Sequence, residues 1–263
     1  MSSINRSSLS INNKNISQEI IFNGKACIAK RYENTSQYIN EIKYLTLFKK
    51  RKFNVPEIEY HDKNQKIIVI QKISGYNNTT FGRSRILKCI DILARIESDF
   101  PLDKGYKIAN GYINRVKSNL KLFCDAYNLT VGLPKIQLLI NDLNADFKPS
   151  LFKDAKPANW IFNKKGVYLI DFEYIKPSFF LADLAQLLKY LDLQKRINFN
   201  YYLKYFLRKS SISDIKKYED LFKLTIINSN MASIFHNKYL SQKIIKLILK
   251  QNFRLLKELN SVI

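Results

Sequence analysis

The sequence is poor in the residues that staple a chain or bind soft metals. Its three cysteines, Cys27, Cys89 and Cys124, are an odd, scattered set with no C-x-x-C spacing. That excludes a disulfide framework and a structural zinc site, and leaves free thiols in a reducing compartment. Neither His61 nor His236 has a partner at metal-ligand spacing, so both read as structural or solvent-facing. Long apolar runs are missing as well. Nothing approaches the roughly 18 residues that span a bilayer, and the N-terminal MSSINRSSLSINNKN has no apolar signal core. The expectation is a soluble, non-secreted, cytoplasmic protein. Acidic side chains are the last scarcity: 22 against 44 Lys and Arg, a formal charge of +22. A basic surface attracts nucleic acid, anionic membrane or acidic substrates. The lysines are nevertheless spread along the chain among abundant Asn and Ile, a pattern that AT-biased codons also produce. Charge alone therefore assigns no partner.

What the chain does have is apolar mass. An apolar content of 46%, with 17 Phe and 16 Tyr, fills a substantial core and argues against disorder. No repeat period is visible, and no low-complexity tract follows the polar first 17 residues. QEIIFNGKACIAKRY reads as a hairpin, Ile20 to Phe22 and Ala26 to Arg31 around an Asn23-Gly24 turn of type I′. TSQYINEIKYLTLFKKRKF follows as a helix capped by Thr35 or Ser36, with Ile39, Ile42, Leu45 and Phe48 on one side. KIIVIQKISG reads as a buried strand, and beyond Gly75 the periodicity turns helical. The layout is α+β: a strand-rich N-lobe over residues 1–75 and a larger helical C-lobe over 76–263, with the boundary near Ser74 to Asn78.

One stretch of the helical part departs from that pattern. In SLFKDAKPANWIFNKKGVYLIDFEY, Pro157 keeps the loop around Asp154 from becoming helix, Asn159 opens a strand from Trp160 to Phe162, and Gly166 turns the chain into a second strand, Val167 to Ile170, ending at Asp171. The hairpin brings Asn159 and Asp171 to one end. An amide oxygen beside a carboxylate is a hard-donor pair suited to Mg²⁺, which needs only one or two protein ligands when phosphates supply others. Asp154, just upstream, is the candidate base. Asp and Asn are also common turn formers, so the specificity lies in the combination.

KDAKPANWIF and YLIDFEY resemble the catalytic loop and metal loop of the protein-kinase-like superfamily: an H-x-D-x-x-x-x-N segment, then a strand ending in D-F-G or a relative. The nearer resemblance is to the aminoglycoside phosphotransferase and choline kinase branch, whose second motif often reads I-D-F-E-Y and is followed by a D-L-A helix, here Asp183-Leu184-Ala185. ILARIES, Ile92 to Ser98, resembles that branch's L-A-x-L-H helix. The resemblance runs from about Gln18 to Tyr190. It implies a bilobal kinase-like fold and transfer of the terminal phosphate of Mg·ATP to a small-molecule hydroxyl such as an amino alcohol, aminoglycoside or sugar. CIAKRY resembles the strand that carries the phosphate-contacting lysine, here Lys30, with Glu41 on the next helix as its ion-pair partner. IIVIQKISG resembles the hinge, where the backbone of Gln71, Lys72 and Ile73 would meet adenine, with Ile28 and Ile161 on the ring faces. Asp154 would take the acceptor's proton, Lys156 would meet the transferred phosphate, and Asn159 and Asp171 would hold Mg²⁺.

The chain departs from the family in two places. Phe152 stands where the family has histidine, and SSLSINNKNISQ, before the first strand, has no glycine although the phosphate-covering loop is usually rich in it. Three alternatives stay open: a protein kinase, suggested by D-x-K-P-x-N although no A-P-E segment follows Asp171; a degenerate kinase with weak nucleotide binding; and a basic scaffold for nucleic acid or anionic membrane, with KIIKLILKQNFRLLKEL as its docking helix. The tyrosines of KYLDLQKRINFNYYLKYF have two readings, core residues or a cation–π cage for a cationic acceptor.

Overall fold

A computed structural model describes residues 16–76, 81–102, 106–127, 133–145, 147–236 and 240–260. All but the last three residues of SSLSINNKNISQ lie outside this set, as do positions 77 and 78 of the expected boundary. The described chain forms two compact units. One contains the residues before position 77 together with Ala158–Ile175; the other contains the residues from 81 to Pro157 and from Lys176 onward.

The first unit is built on an antiparallel sheet of order β1-β2-β4-β3: β1 (Ile16–Phe22), β2 (Lys25–Arg31), β4 (Ile67–Gln71) and β3 (Ile58–Asp62). The β1–β2 turn is the expected Asn-Gly pair, with Asn23 at φ 49° and Gly24 at φ 75°, the left-handed pair that a type I′ turn requires. Side chains alternate across the sheet. Cys27 and Ala29 cluster with Ile67, Val69, Ile20 and Phe22 on one face, while Ile28, Lys30 and Ile70 point to the other. Strand β3 goes beyond the sequence reading: its half-polar IEYHD carries no apolar alternation.

Helix α1 (Thr35–Lys50) corrects two expectations. Its cap is Asn34, whose Oδ1 accepts the Ser36 amide at 2.8 Å, rather than Thr35 or Ser36. Its buried stripe is Tyr38, Glu41, Tyr44, Leu45 and Phe48, whereas Ile39 is 49% exposed. A carboxylate therefore occupies a position on the apolar face. The hairpin β6 (Trp160–Asn163) and β7 (Gly166–Leu169) completes this unit. Its turn forms because Asn163 Oδ1 accepts the Lys165 amide at 2.8 Å and Gly166 adopts φ 135°. The chain after β4 is stitched to β6 by paired Tyr76 and Phe162 amides at 2.9 and 3.1 Å. Gly75 lies so close there that a Cβ would come within 2.6 Å of both Ile161 and the Phe162 carbonyl.

The second unit contains α2 (Arg83–Asp99), α3 (Tyr106–Tyr127), α4 (Leu133–Ala145), α5 (Ala182–Gln194), α6 (Phe199–Lys209), α7 (Ile215–His236) and α8 (Gln242–Asn260). Two short strands, β5 (Pro149–Phe152) and β8 (Lys176–Phe179), pair antiparallel in it. Helix α5 is buried nearly all round, with Leu184, Ala185, Leu187 and Leu188 wholly enclosed, and α7 packs against α5 and α8. All three cysteines are free thiols. Among the described residues no helix is long and apolar enough to cross a membrane.

Candidate functional site

The first unit holds a cleft of about 440 Å³ between the sheet and the hairpin. Ile28, Lys30, Ile70, Gln71, Lys72 and Ile73 line it from the sheet side, and Asn159, Ile161, Ile170 and Asp171 from the hairpin side. This volume lies within the range of small-molecule sites, roughly 300–1,000 Å³. Strand alternation explains the lining: Ile28 and Lys30 are two apart on β2, so both face the cleft while Cys27 and Ala29 enter the core. Ser17 and Glu19 of β1 reach the cleft by the same alternation, and Glu19 pairs with Lys72 at 2.5 Å.

The polar floor of the cleft is an ordered ion network. Lys30 Nζ lies 3.0 Å from Glu41 Oε1 and 3.3 Å from Asp171 Oδ1. Burial lowers the Lys30 pKa, but the charges of Glu41 and Asp171 outweigh it and hold the ammonium above its ordinary value. Glu41 is completely buried, and its second oxygen accepts the Phe172 amide at 2.6 Å. Phe172 is itself enclosed and packs edge-on against Phe48 of α1, centroids 5.1 Å apart. Full burial of a phenylalanine contributes about 1.5–3 kcal/mol. Phe172 is thus the apolar anchor of the loop, with Asp171 beside it facing the cleft. Asn40 extends the same attachment by donating to the Glu173 and Ile175 carbonyls at 3.2 and 3.4 Å.

Asn159 closes a single 3₁₀ turn, Pro157–Asn159, immediately before β6. Its carbonyl accepts the Ile170 amide at 3.1 Å, which continues the hairpin pairing of Trp160 with Leu169 and brings Asn159 alongside the approach to Asp171. Asp171 sits at φ 69°, a left-handed backbone that few residues besides glycine adopt and that is concentrated at functional positions. Asn159 and Asp171 offer hard oxygen donors to one cleft, a donor set that fits Mg²⁺ bound chiefly through phosphate. Among the described residues no cluster of three or more His, Cys, Asp and Glu forms a self-sufficient metal cage. Gln71, Lys72 and Ile73, the expected hinge, all line the cleft. The Gln71 amide bonds the Glu57 carbonyl at 2.8 Å and the Lys72 amide the Ala26 carbonyl at 3.1 Å, and of these three amides that of Ile73 makes no hydrogen bond among the described residues.

Asp154 and Lys156 belong to the second unit. Asp154 is also left-handed, φ 65°, and its loop is held from α5. Buried Asp183 accepts the Lys153 amide at 2.8 Å and the Ala155 amide at 2.9 Å, one on each side of Asp154. The Asp154 side chain is bound at both oxygens, to Gln186 Nε2 at 2.7 Å and to Lys156 Nζ at 2.9 Å. Burial pushes the Asp183 carboxyl up to about 7, against the opposing pull of those two amides. Burial likewise pulls Lys189 down to about 7, against the attraction of Asp154. Phe152, at the position of the expected histidine, is half-buried beneath the Lys176 ammonium, 5.9 Å from its ring centre.

The sequence reading missed Gln186, which bonds Asp154, and behind it Ser229 and Lys189, which are bonded to Gln186 and to Ser229 in turn. The signal was available in DLAQLLK, where Asp183, Gln186 and Lys189 repeat at threes and so share one helix face. The tyrosine-rich segment forms no cage among the described residues. Phe199, Tyr202 and Phe206 are core, Tyr201 meets Arg83, and Tyr205 donates to Asp91. Helix α8, the expected docking helix, buries Ile248, Leu255 and Leu259, and Arg254 pairs with Asp192 at 2.7 Å. The helix is thus packed through its C-terminal half, while Ile244, Leu247 and Phe253 stay exposed.

No protein-family model and no curated protein matches the sequence. Solved structures do match. A choline/ethanolamine kinase family protein from Mesorhizobium loti is 12% identical, with a TM-score of 0.58 over 93% of this chain and 87% of that one. The GDP complex of aminoglycoside 2′-phosphotransferase-IIIa is 14% identical, TM-score 0.61, over 97% and 91%. An ethanolamine kinase from Plasmodium vivax is 11% identical, TM-score 0.59, over 96% and 82%.

Proposed function

We propose that this chain, which has the α+β kinase-like fold of choline kinases and aminoglycoside phosphotransferases, is a phosphotransferase that moves the terminal phosphate of Mg·ATP to a hydroxyl of a small molecule. The observation that carries the reading is Lys30, held between buried Glu41 and Asp171 on the floor of a cleft whose other wall is the hairpin. An ammonium fixed at a predetermined place stabilises phosphate charge without reorganising, and positioning with charge neutralisation is most of what phosphoryl transfer requires.

In this reading Ile28 and Ile161 enclose the adenine and the Ile73 amide meets its edge. Lys30 contacts the inner phosphates, and Asn159 and Asp171 hold the Mg²⁺. The bound Mg·nucleotide supplies the phosphoryl group and neutralises its charge. Asp154 orients the acceptor hydroxyl and takes its proton at Oδ2, the oxygen now engaged by Lys156; the lysine then turns to the transferred phosphate. Asn159 follows Asp154 by five positions, so even a fully extended chain keeps their Cα atoms within about 18 Å. The acceptor is an amino alcohol, aminoglycoside or sugar; kinases of choline, ethanolamine and aminoglycosides share the fold.

The test is thermal. A ligand bound only by the folded state stabilises it by mass action, by about 2.7 kcal/mol at a hundredfold excess over Kd, and so raises the melting temperature. Mg·ATP should stabilise the wild type and Asp154→Asn alike, while Asp171→Ala should lose most of the shift. In a turnover screen across the three acceptor classes, Asp154→Asn should fall by about 10²- to 10⁴-fold, the usual contribution of a positioned base. Absence of any shift at millimolar Mg·ATP in folded protein would end this reading.

A further inference from the structure

We propose that Gln186 is a positioning residue for the Asp154 carboxylate, with Ser229 fixing the orientation of its amide. The inference rests on the reading of Asp154 given above and adds a group that neither motif contains. Gln186 Nε2 donates to Asp154 Oδ1 at 2.7 Å, and Ser229 Oγ donates to Gln186 Oε1, also at 2.7 Å. The amide has one acceptable orientation. A carboxylate only accepts hydrogen bonds, so turning the amide over would set oxygen against oxygen.

Ser229 is held in its turn. Lys189 Nζ bonds the Ser229 carbonyl at 2.9 Å and Ser233 Oγ at 2.9 Å, tying α5 to α7 at the serine that holds Gln186. Helix α5 thus sets the whole loop from one face. Asp183 fixes the backbone on either side of Asp154, Gln186 fixes its side chain, and Lys189 anchors the relay to α7. Such support has a chemical reason. Asp154 occupies a left-handed backbone, and the tie from Lys156 must release for Oδ2 to receive a proton. Gln186 is neutral. It keeps hold of Oδ1 while Oδ2 works, without the full charge that would make the carboxylate a poorer base.

Two measurements test this. In turnover, Gln186→Leu should lower kcat by about 10- to 100-fold, the effect of a misplaced reacting group. The nucleotide KM and the Mg·ATP melting shift should stay unchanged. Ser229→Ala should act in the same direction but less, and the double variant should be no worse than Gln186→Leu alone, because both break one relay. In ligand-free protein, the Gln186 side-chain amide, identified by its disappearance from the NMR spectrum of Gln186→Leu, should exchange with water about tenfold faster in Asp154→Ala and in Ser229→Ala, as the loss of one hydrogen bond dictates. Wild-type kcat in Gln186→Leu, or multiplied losses in the double variant, overturns the proposal. If the wild type turns over no acceptor, the phosphotransferase reading fails. The exchange measurement then decides the relay alone, and exchange unchanged by Ser229→Ala overturns it.

Discussion

Replacing Glu41 by alanine probes the centre of the candidate nucleotide site without touching the cleft surface. Glu41 is fully buried and serves two partners, Lys30 at 3.0 Å and the Phe172 amide at 2.6 Å. Breaking a buried ion pair by removing one partner costs about 3–5 kcal/mol. Lys30 retains Asp171 at 3.3 Å and is 14% exposed, so the lower end of that range applies to the charge. The Phe172 amide loses a short acceptor, which adds about 1 kcal/mol at the low end of the usual penalty. A total of about 4 kcal/mol lowers the melting temperature by roughly 8–16 °C for a chain of this size. The assay is thermal unfolding of ligand-free protein followed by circular dichroism. Glu41→Gln, which keeps an acceptor but loses the charge, should fall between wild type and alanine. Adding Lys30→Met to Glu41→Ala should recover part of the loss, because the ammonium no longer lacks its principal counter-charge. A Glu41→Ala protein melting within about 1 °C of wild type would refute the reasoning. So would a double variant destabilised by the sum of its parts.

Further outcomes are expected. Gly75→Ala pushes a methyl into the Phe162 carbonyl, which cannot turn away, and should cost about 1–3 kcal/mol as overpacking does while weakening nucleotide binding through Ile73; unchanged melting would mean that the hinge yields. Stability should pass through a minimum near neutral pH. Asp183, raised from 3.8 to about 7, makes the folded state hold the extra proton, so its contribution is lost between those values as pH rises. Lys189, lowered from 10.5 to about 7, leaves the extra proton on the unfolded chain, so stability is regained from about 7 upward. In urea unfolding against pH, Asp183→Asn should flatten the acid limb and Lys189→Met the alkaline one; curves parallel to wild type would contradict both assignments.

The sequence by itself determined whatever rests on local pattern. The Asn23-Gly24 hairpin, the apolar strand at Ile67–Gln71, most of the helices and the hairpin between Asn159 and Asp171 are each decided within a few residues by turn chemistry and side-chain period. The spacing of Asp154, Asn159 and Asp171 and the α+β layout were legible for the same reason, while the kinase-like class came from the resemblance of those motifs to a known superfamily. The tertiary structure decided what depends on distant partners. Strand β3 is half-polar, and β5 and β8 are four residues each, so they become strands only on pairing with segments remote in the chain. Hairpin residues 158–175 join the first unit through contacts more than a hundred positions away, such as Glu41 with Phe172 and Lys30 with Asp171. Helical period alone made Ile39 a core residue, and it set no burial for Glu41, which was expected only as the partner of Lys30. The structure exposes Ile39 and buries Glu41 in its place, because a buried carboxylate is tolerable only where a lysine and a backbone amide meet it, and those partners come from β2 and from a loop 131 residues later. The Gln186 relay follows the same rule, since its meaning depends on Asp154 and Ser229, which only the fold brings to it.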